Sequence, residues 1–320
     1  LEKYPIKNEA QSPTVKLKEG EIRESYQSVN GIKPHSREWE AMVSALHKSG
    51  AGVFGMAETN YNWSPQATSA YANRARSAMY QEVGRRVNLS LQATACSGWE
   101  GNHYQPGGTC TGALDHWATR INSKGGDPEK MGRWSTLRIQ IKGTVISIIT
   151  AYRACKTPVT LESNTAYAQQ WREWAKKTHK KVDPRERTLK DLKAYMKKEI
   201  EKKREIVLLI DANEGADNRT EEMSELIHEC GLVDTHLIRD PYTEIETYAR
   251  GKEKIDYIFT TTRIQQSVTY AHIAPYNETI ESDHRALIVD IDYKLLEAGE
   301  LIFWQRPERT FTSRSLANRK

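Results

Sequence analysis

No apolar run in this chain is longer than a strand. The two longest, Val145–Thr150 and Ile206–Ile210, fall far short of the ~20 residues that a bilayer-crossing helix needs. Comparable segments recur at Gly52–Met56, Leu137–Ile141, Lys254–Phe259 and Leu287–Ile291, so the chain must bury its apolar surface mainly by packing sheets. Helical spacing interrupts them in three places. Trp39, Met42, Val43 and Leu46 form one i, i+3, i+4, i+7 stripe, and Met223, Leu226, Ile227 and Cys230 form another. The second stripe has Thr220 at the N-cap position, Glu221 and Glu222 in its first turn and Gly231 just past its end, all standard helix punctuation. Leu189, Leu192, Met196 and Ile200 mark the third, which starts after Asp183-Pro184 because proline suits a first helical turn.

A chain of 320 residues with 38% hydrophobic content can build one large core with little to spare. Residues 1–24 and 304–320 are polar and without period, so they read as a linker and a tail around a domain spanning 25–303. The opening Leu1-Glu2-Lys3-Tyr4 has neither an initiator Met nor the apolar core of a signal peptide, and is expected to be an internal stretch of a longer polyprotein. The four cysteines, Cys96, Cys110, Cys155 and Cys230, are widely spaced, with no Cys-x-x-Cys and no histidine at zinc spacing. That pattern argues against a disulfide framework and for a reducing, intracellular compartment.

Charge is concentrated in one place. Residues 176–204 hold 13 Lys/Arg against 5 Asp/Glu, a net +8 in a chain whose total is +5. Their helix would present Lys190, Lys193 and Lys197 outward, either as a solvated face or as phosphate contacts.

The polar residues at strand ends carry the chemistry. Gly52–Met56 runs into Glu58-Thr59-Asn60, and Ile206–Ile210 into Asp211-Ala212-Asn213-Glu214. Asp256 sits within an otherwise apolar strand, and Glu281-Ser282-Asp283-His284 precedes the last one. A single Asp at a strand end is ordinarily a turn former. Asp256 needs a partner to be buried between Ile255 and Ile258, and His284 is the candidate: a carboxylate on one ring nitrogen orients the imidazole and leaves the other free to face an anion. Hard oxygen donors without cysteine favour Mg²⁺ or Mn²⁺, and such an ion beside an acid, an amide and a histidine suits phosphoryl chemistry.

In this order the motifs resemble the endonuclease/exonuclease/phosphatase superfamily: Ser28-Val29-Asn30-Gly31-Ile32 on the first strand, Glu58-Thr59, Gly107-Gly108-Thr109-Cys110-Thr111-Gly112-Ala113, Ala151-Tyr152-Arg153, Asp211-Ala212-Asn213, Lys254-Ile255-Asp256-Tyr257 and Ser282-Asp283-His284. The resemblance implies a four-layered α/β sandwich, with two packed mixed β-sheets flanked by helices. It implies a divalent metal held by Glu58 with Asn30 and Asp283 nearby. Asp211 would orient or deprotonate the attacking water, Asn213 would bond the scissile phosphate, His284 held by Asp256 would stabilise its charge, and Tyr152 would lie near it. Ser28 stands where the family usually has an asparagine, and Glu253-Lys254 replaces the aromatic that apurinic endonucleases place before the strand aspartate. The Lys-Ile-Asp arrangement is more similar to endonuclease domains of non-LTR retrotransposons. The resemblance therefore implies a metal-dependent DNA endonuclease that nicks one strand, with the nucleus as a candidate compartment. The alternative is a phosphatase of the same fold acting on inositol phosphates or phospholipid headgroups. The sequence leaves oligomeric state open.

Overall fold

In a computed structural model, the described residues are 16–32, 37–63, 89–96, 104–141, 143–160, 162–239 and 245–298. The expected tail at 304–320 and most of the expected linker lie outside them. β1 (Glu21–Ser28) begins four residues before the expected domain start, because Ile22 already faces the core.

The first half of the chain runs β1, α1 (Arg37–Lys48), β2 (Val53–Ala57), β3 (Leu89–Thr94), β4 (Thr109–Leu114), α2 (Asp115–Thr119), β5 (Ile121–Gly126) and β6 (Trp134–Ile141). The second runs β7 (Thr144–Tyr152), α3 (Ala166–Thr178), α4 (Pro184–Glu201), β8 (Glu205–Asp211), α5 (Glu221–Glu229), β9 (Leu232–Asp234), α6 (Thr235–Arg239), β10 (Asp256–Thr261), α7 (Thr262–Gln266), β11 (Val268–Ile273), β12 (Leu287–Asp292) and α8 (Tyr293–Ala298). One sheet is ordered β11-β12-β1-β2-β4-β3 and the other β5-β6-β7-β8-β10-β9. Adding six to each strand number, modulo twelve, turns the first order into the second. In each sheet the central pair, β1 with β2 and β7 with β8, is parallel, since a helical crossover separates the two strands.

The sheets pack face to face through Ile22, Tyr26, Val53, Ile148, Val207, Leu209 and Val289. Gly55 lets them meet: a Cβ there would lie 2.5 Å from Leu209 Cδ1 and 2.6 Å from Thr150 Oγ1. Met42 and Leu46 of α1 cover the outer face of the first sheet with Phe54 and Met56. Leu189, Leu192 and Met196 of α4, with Met223 and Leu226 of α5, cover the second. The four-layered α/β sandwich is therefore the architecture of this chain. Two local expectations change. Thr220 occupies the N-cap position of α5 without capping it, because its hydroxyl bonds Glu214 and accepts from Arg153. Lys254 precedes β10 and pairs with Asp234 at 2.8 Å.

Glu24 is the anomaly of the inter-sheet layer. It alternates with Ile22 and Tyr26 on β1, is 1% exposed, and its Oε2 has no hydrogen-bond partner. Burial pushes its pKa up to about 8. The folded state then binds a proton that the unfolded state releases above its ordinary carboxylate pKa, so stability should fall as pH rises from about 4.5 to about 8 and level off beyond. The full effect is on the order of 5 kcal/mol as an upper limit. Glu24→Gln should remove this slope. Urea midpoints of both proteins at pH 5 and pH 8 test it, and parallel pH dependences would show that Glu24 does not titrate with folding.

Candidate active site

The C-terminal ends of the two central parallel pairs converge. β2 ends one residue before Glu58, β7 ends on Tyr152 and β8 on Asp211. β1 ends at Ser28, so Asn30 lies beyond the strand rather than within it. Asn30 (φ 44°), Glu58 (φ 50°), Asn60 (φ 49°) and Asn213 (φ 50°) all adopt the left-handed conformation. Asparagine tolerates this; glutamate does so at a cost of ~1–2 kcal/mol, and such strain collects where a side chain must be aimed. The backbone around Glu58 is over-determined: Gly31 N–H donates to Glu58 O at 2.8 Å, Ile32 N–H to Thr59 O at 2.8 Å and Asn60 N–H to Gly107 O at 2.8 Å. Gly107 adopts φ +76°, which strains any other residue, and a Cβ there would press on Tyr152, 3.1 Å from its Cε1.

Glu58, Asp211 and His284 offer ligand atoms that all lie within 4.8 Å of one another. Burial raises the Glu58 pKa, against a hydrogen bond from Tyr152 that lowers it. Burial also raises Asp211, with the Asp256 carboxylate adding to the rise. Asp211 Oδ2 accepts from Ser28 Oγ at 2.9 Å. The serine at the family's usual asparagine position thus holds Asp211, while Asn30 Nδ2 donates to Asp283 Oδ2 at 3.2 Å and Asn60 Nδ2 to Asn30 Oδ1 at 3.4 Å.

Asp256 has the expected partner: its Oδ2 lies 2.8 Å from His284 Nδ1. Its Oδ1 accepts from Tyr26 Oη at 3.4 Å, a contact that alternation along β1 could have suggested, since Tyr26 shares a face with Ser28. Burial opposes charge on His284, but Asp256 outweighs it and raises the ring's pKa well above the ordinary value. A ring that keeps both protons faces the site as a donor, which leaves the carboxylates as the oxygen atoms that a cation would meet. The crowding of half-buried Glu58 against buried Asp211 fits a divalent ion with oxygen donors: each raises the other's cost of ionising, and a nearby double positive charge relieves both.

Asn213 sits beyond β8 with Nδ2 donating to Arg153 O at 2.8 Å and its own N–H to Asp211 Oδ1 at 3.2 Å. The buried pair Arg153–Glu214 ties together the segments that follow β7 and β8. Sequence reasoning missed Arg153, Cys155 and Arg185 around Asn213; only the adjacency of Arg153 and Cys155 to Tyr152 could have pointed to two of them.

On the basic helix α4, two of the three outward lysines have carboxylate partners. Lys193 pairs with Glu225 at 2.6 Å and Glu229 at 2.8 Å, and Lys197 with Glu229. Both are engaged by α5 and do not stand free for phosphates; Lys190 is exposed. No helix among the described residues is long and apolar enough to cross a membrane.

With this geometry, the fold is that of the endonuclease/exonuclease/phosphatase proteins. An AP endonuclease from Archaeoglobus fulgidus superposes with a TM-score of 0.54 at 16% identity, over 85% of this chain and 99% of that one. A variant of the 3′ phosphatase NExo from Neisseria, bound to a product DNA hairpin, gives 0.55 at 13% identity over 85% and 99%. The endonuclease domain of TRAS1, a telomere-specific non-LTR retrotransposon, gives 0.52 at 11% identity over 85% and 98%. No protein-family model matches the sequence, and no curated protein matches it.

Proposed function

We propose that this chain is a divalent-metal-dependent phosphodiesterase acting on DNA as an endonuclease that nicks one strand. The observation that carries this reading is the meeting of Glu58, Asp211 and His284 within 4.8 Å, with His284 clamped by Asp256. Glu58 would hold the Mg²⁺ or Mn²⁺, with Asn30 and Asp283 beside it. When bound, the ion would neutralise charge on the phosphate oxygens.

The chain's own residues would do the remainder. Asp211 would orient the attacking water and take its proton, which requires a carboxylate kept basic by burial. Asn213 would donate an amide N–H to a non-bridging oxygen. His284, oriented through Nδ1 by Asp256, would donate from Nε2 to the phosphate, and Tyr152 would hold Glu58 and face the same group. Preorganised donors of this kind stabilise the charge that develops in the transition state.

Supercoiled plasmid, an abasic oligonucleotide, a 3′-phosphorylated oligonucleotide and inositol polyphosphates, each with Mg²⁺ or EDTA, test the reading. Plasmid nicking that EDTA abolishes is expected. Release of inorganic phosphate from the 3′-phosphorylated oligonucleotide alone, or from inositol polyphosphates alone, would replace the endonuclease with a phosphatase.

A second expectation concerns the salt dependence of DNA binding. Three free lysines would flatten the slope of log K against log[salt] by up to about 0.9 each when replaced. Because Lys193 and Lys197 are engaged by α5, the triple change of Lys190, Lys193 and Lys197 to Gln should flatten it by no more than ~0.9, the share of Lys190. A slope change approaching three contacts would mean that these ion pairs open on DNA.

A further inference from the structure

Asn213 carries the proposed phosphate contact, and two residues with no part in the reading above touch it. Cys155 lies three residues beyond Tyr152, and its thiol is in contact with Asn213 Oδ1. A carbonyl only accepts, so the amide atom facing Arg153 O must be Nδ2 and the atom facing Cys155 must be Oδ1. The thiol is then the donor. With one Nδ2–H bound to Arg153 O and Oδ1 engaged by Cys155, a single amide N–H is left for a ligand.

Arg185 does for the backbone what Cys155 does for the side chain. It stands in the first turn of α4, where its own N–H is fixed by the Asp183 side chain at 2.8 Å. Its Nη1 donates to Ala154 O at 2.8 Å and its Nη2 to Asn213 O at 3.2 Å, with Glu214 at 3.7 Å. The guanidinium thus bridges the segment after β7 to the left-handed residue after β8.

We propose that Cys155 and Arg185 are positioning residues that act through Asn213, the thiol steadying the oxygen end of an amide whose nitrogen end is held by Arg153 O, and the guanidinium its backbone. The inference rests on the nuclease reading for its kinetic consequence, though the geometry it concerns can be measured apart from it. Without the thiol the amide is held by the Arg153 carbonyl alone at 2.8 Å and can tilt about that single bond, and a small misplacement at a reacting centre is costly in rate.

The test compares Cys155→Ala, Cys155→Ser and Arg185→Met in the full chain. Cys155→Ala should lower kcat about tenfold with KM nearly unchanged, whereas Cys155→Ser, which keeps a donor, should stay within about threefold of wild type. Arg185→Met should lower kcat at least as far as Cys155→Ala. A purely structural role would instead lower the melting temperature without separating kcat from KM or Ser from Ala. The second readout is the side-chain amide signal pair of Asn213 in ¹⁵N-asparagine-labelled protein, assigned by its loss in Asn213→Asp. It should be well resolved in wild type and Cys155→Ser and shift toward free asparagine in Cys155→Ala. Unmoved signals in Cys155→Ala, or Ser falling as far as Ala, would overturn the proposal. Should the wild type cleave no DNA, the nuclease reading fails, and the amide signals alone decide the positioning claim.

Discussion

Asp211→Asn is expected to slow plasmid nicking by ~10²–10⁴-fold while DNA affinity stays close to wild type. Asp211 is fully buried at the end of β8, held by Ser28 Oγ at 2.9 Å and by the Asn213 N–H at 3.2 Å. An asparagine fills the same volume but takes no proton from water. The substitution also removes one charge from a group of buried carboxylates that includes Asp256 and Glu58. The variant should therefore melt no lower than wild type, and lost activity could not be blamed on unfolding. Nicking rates and thermal melts of the same preparations check both points. Nicking within about tenfold of wild type would take the proton-accepting role away from Asp211.

Glu58→Gln should act on the metal requirement. A neutral amide oxygen holds a hard divalent cation more weakly than a carboxylate, so half-maximal nicking should need at least about tenfold more Mg²⁺. Raising Mg²⁺ or supplying Mn²⁺ should restore part of the rate. Calorimetric titration with Mn²⁺ gives the same comparison without turnover. Gln can take the hydrogen bond from Tyr152, and the strained backbone is set by the neighbouring turns rather than by the side chain, so the fold should persist. An unchanged metal titration would make Glu58 a structural residue.

The residues legible in the sequence were those whose meaning lies within their own strand. Asp256 stood out because a carboxylate between Ile255 and Ile258 contradicts its surroundings, and its partner His284 was the nearest unexplained imidazole in the motif order. The strand ends were equally plain, because apolar alternation stops there. Partners brought together from distant segments were not. Ser28 and Asp211 are separated by 183 positions, and nothing in either stretch announces the other. The partners of the lysines were hidden for a related reason. Helical period says which face of α4 points away from the sheet, but not that α5 lays Glu225 and Glu229 along that face. Thr220 shows the same limit on a smaller scale: its position suits a cap, yet the buried Arg153–Glu214 pair recruits its hydroxyl.

The two strand orders differ by six throughout, and this divides the candidate centre between early and late parts of the chain. A ribosome delivers Asn30 and Glu58 first. Asp211 and Asn213 follow only after more than half of the chain exists, and Asp283 and His284 come near its end. β1, which carries Tyr26 and Ser28, lies between β2 and β12, and β12 is the last strand made among the described residues. The loop bearing His284 is tied to the segment before β10 by Ala249 N–H to Asp283 O and Arg285 N–H to Thr247 O, both at 2.8 Å, and joins the early residues only when Leu287–Asp292 pairs with Glu21–Ser28. A nascent chain therefore holds half a centre, and the candidate site is complete only once β12 has joined β1.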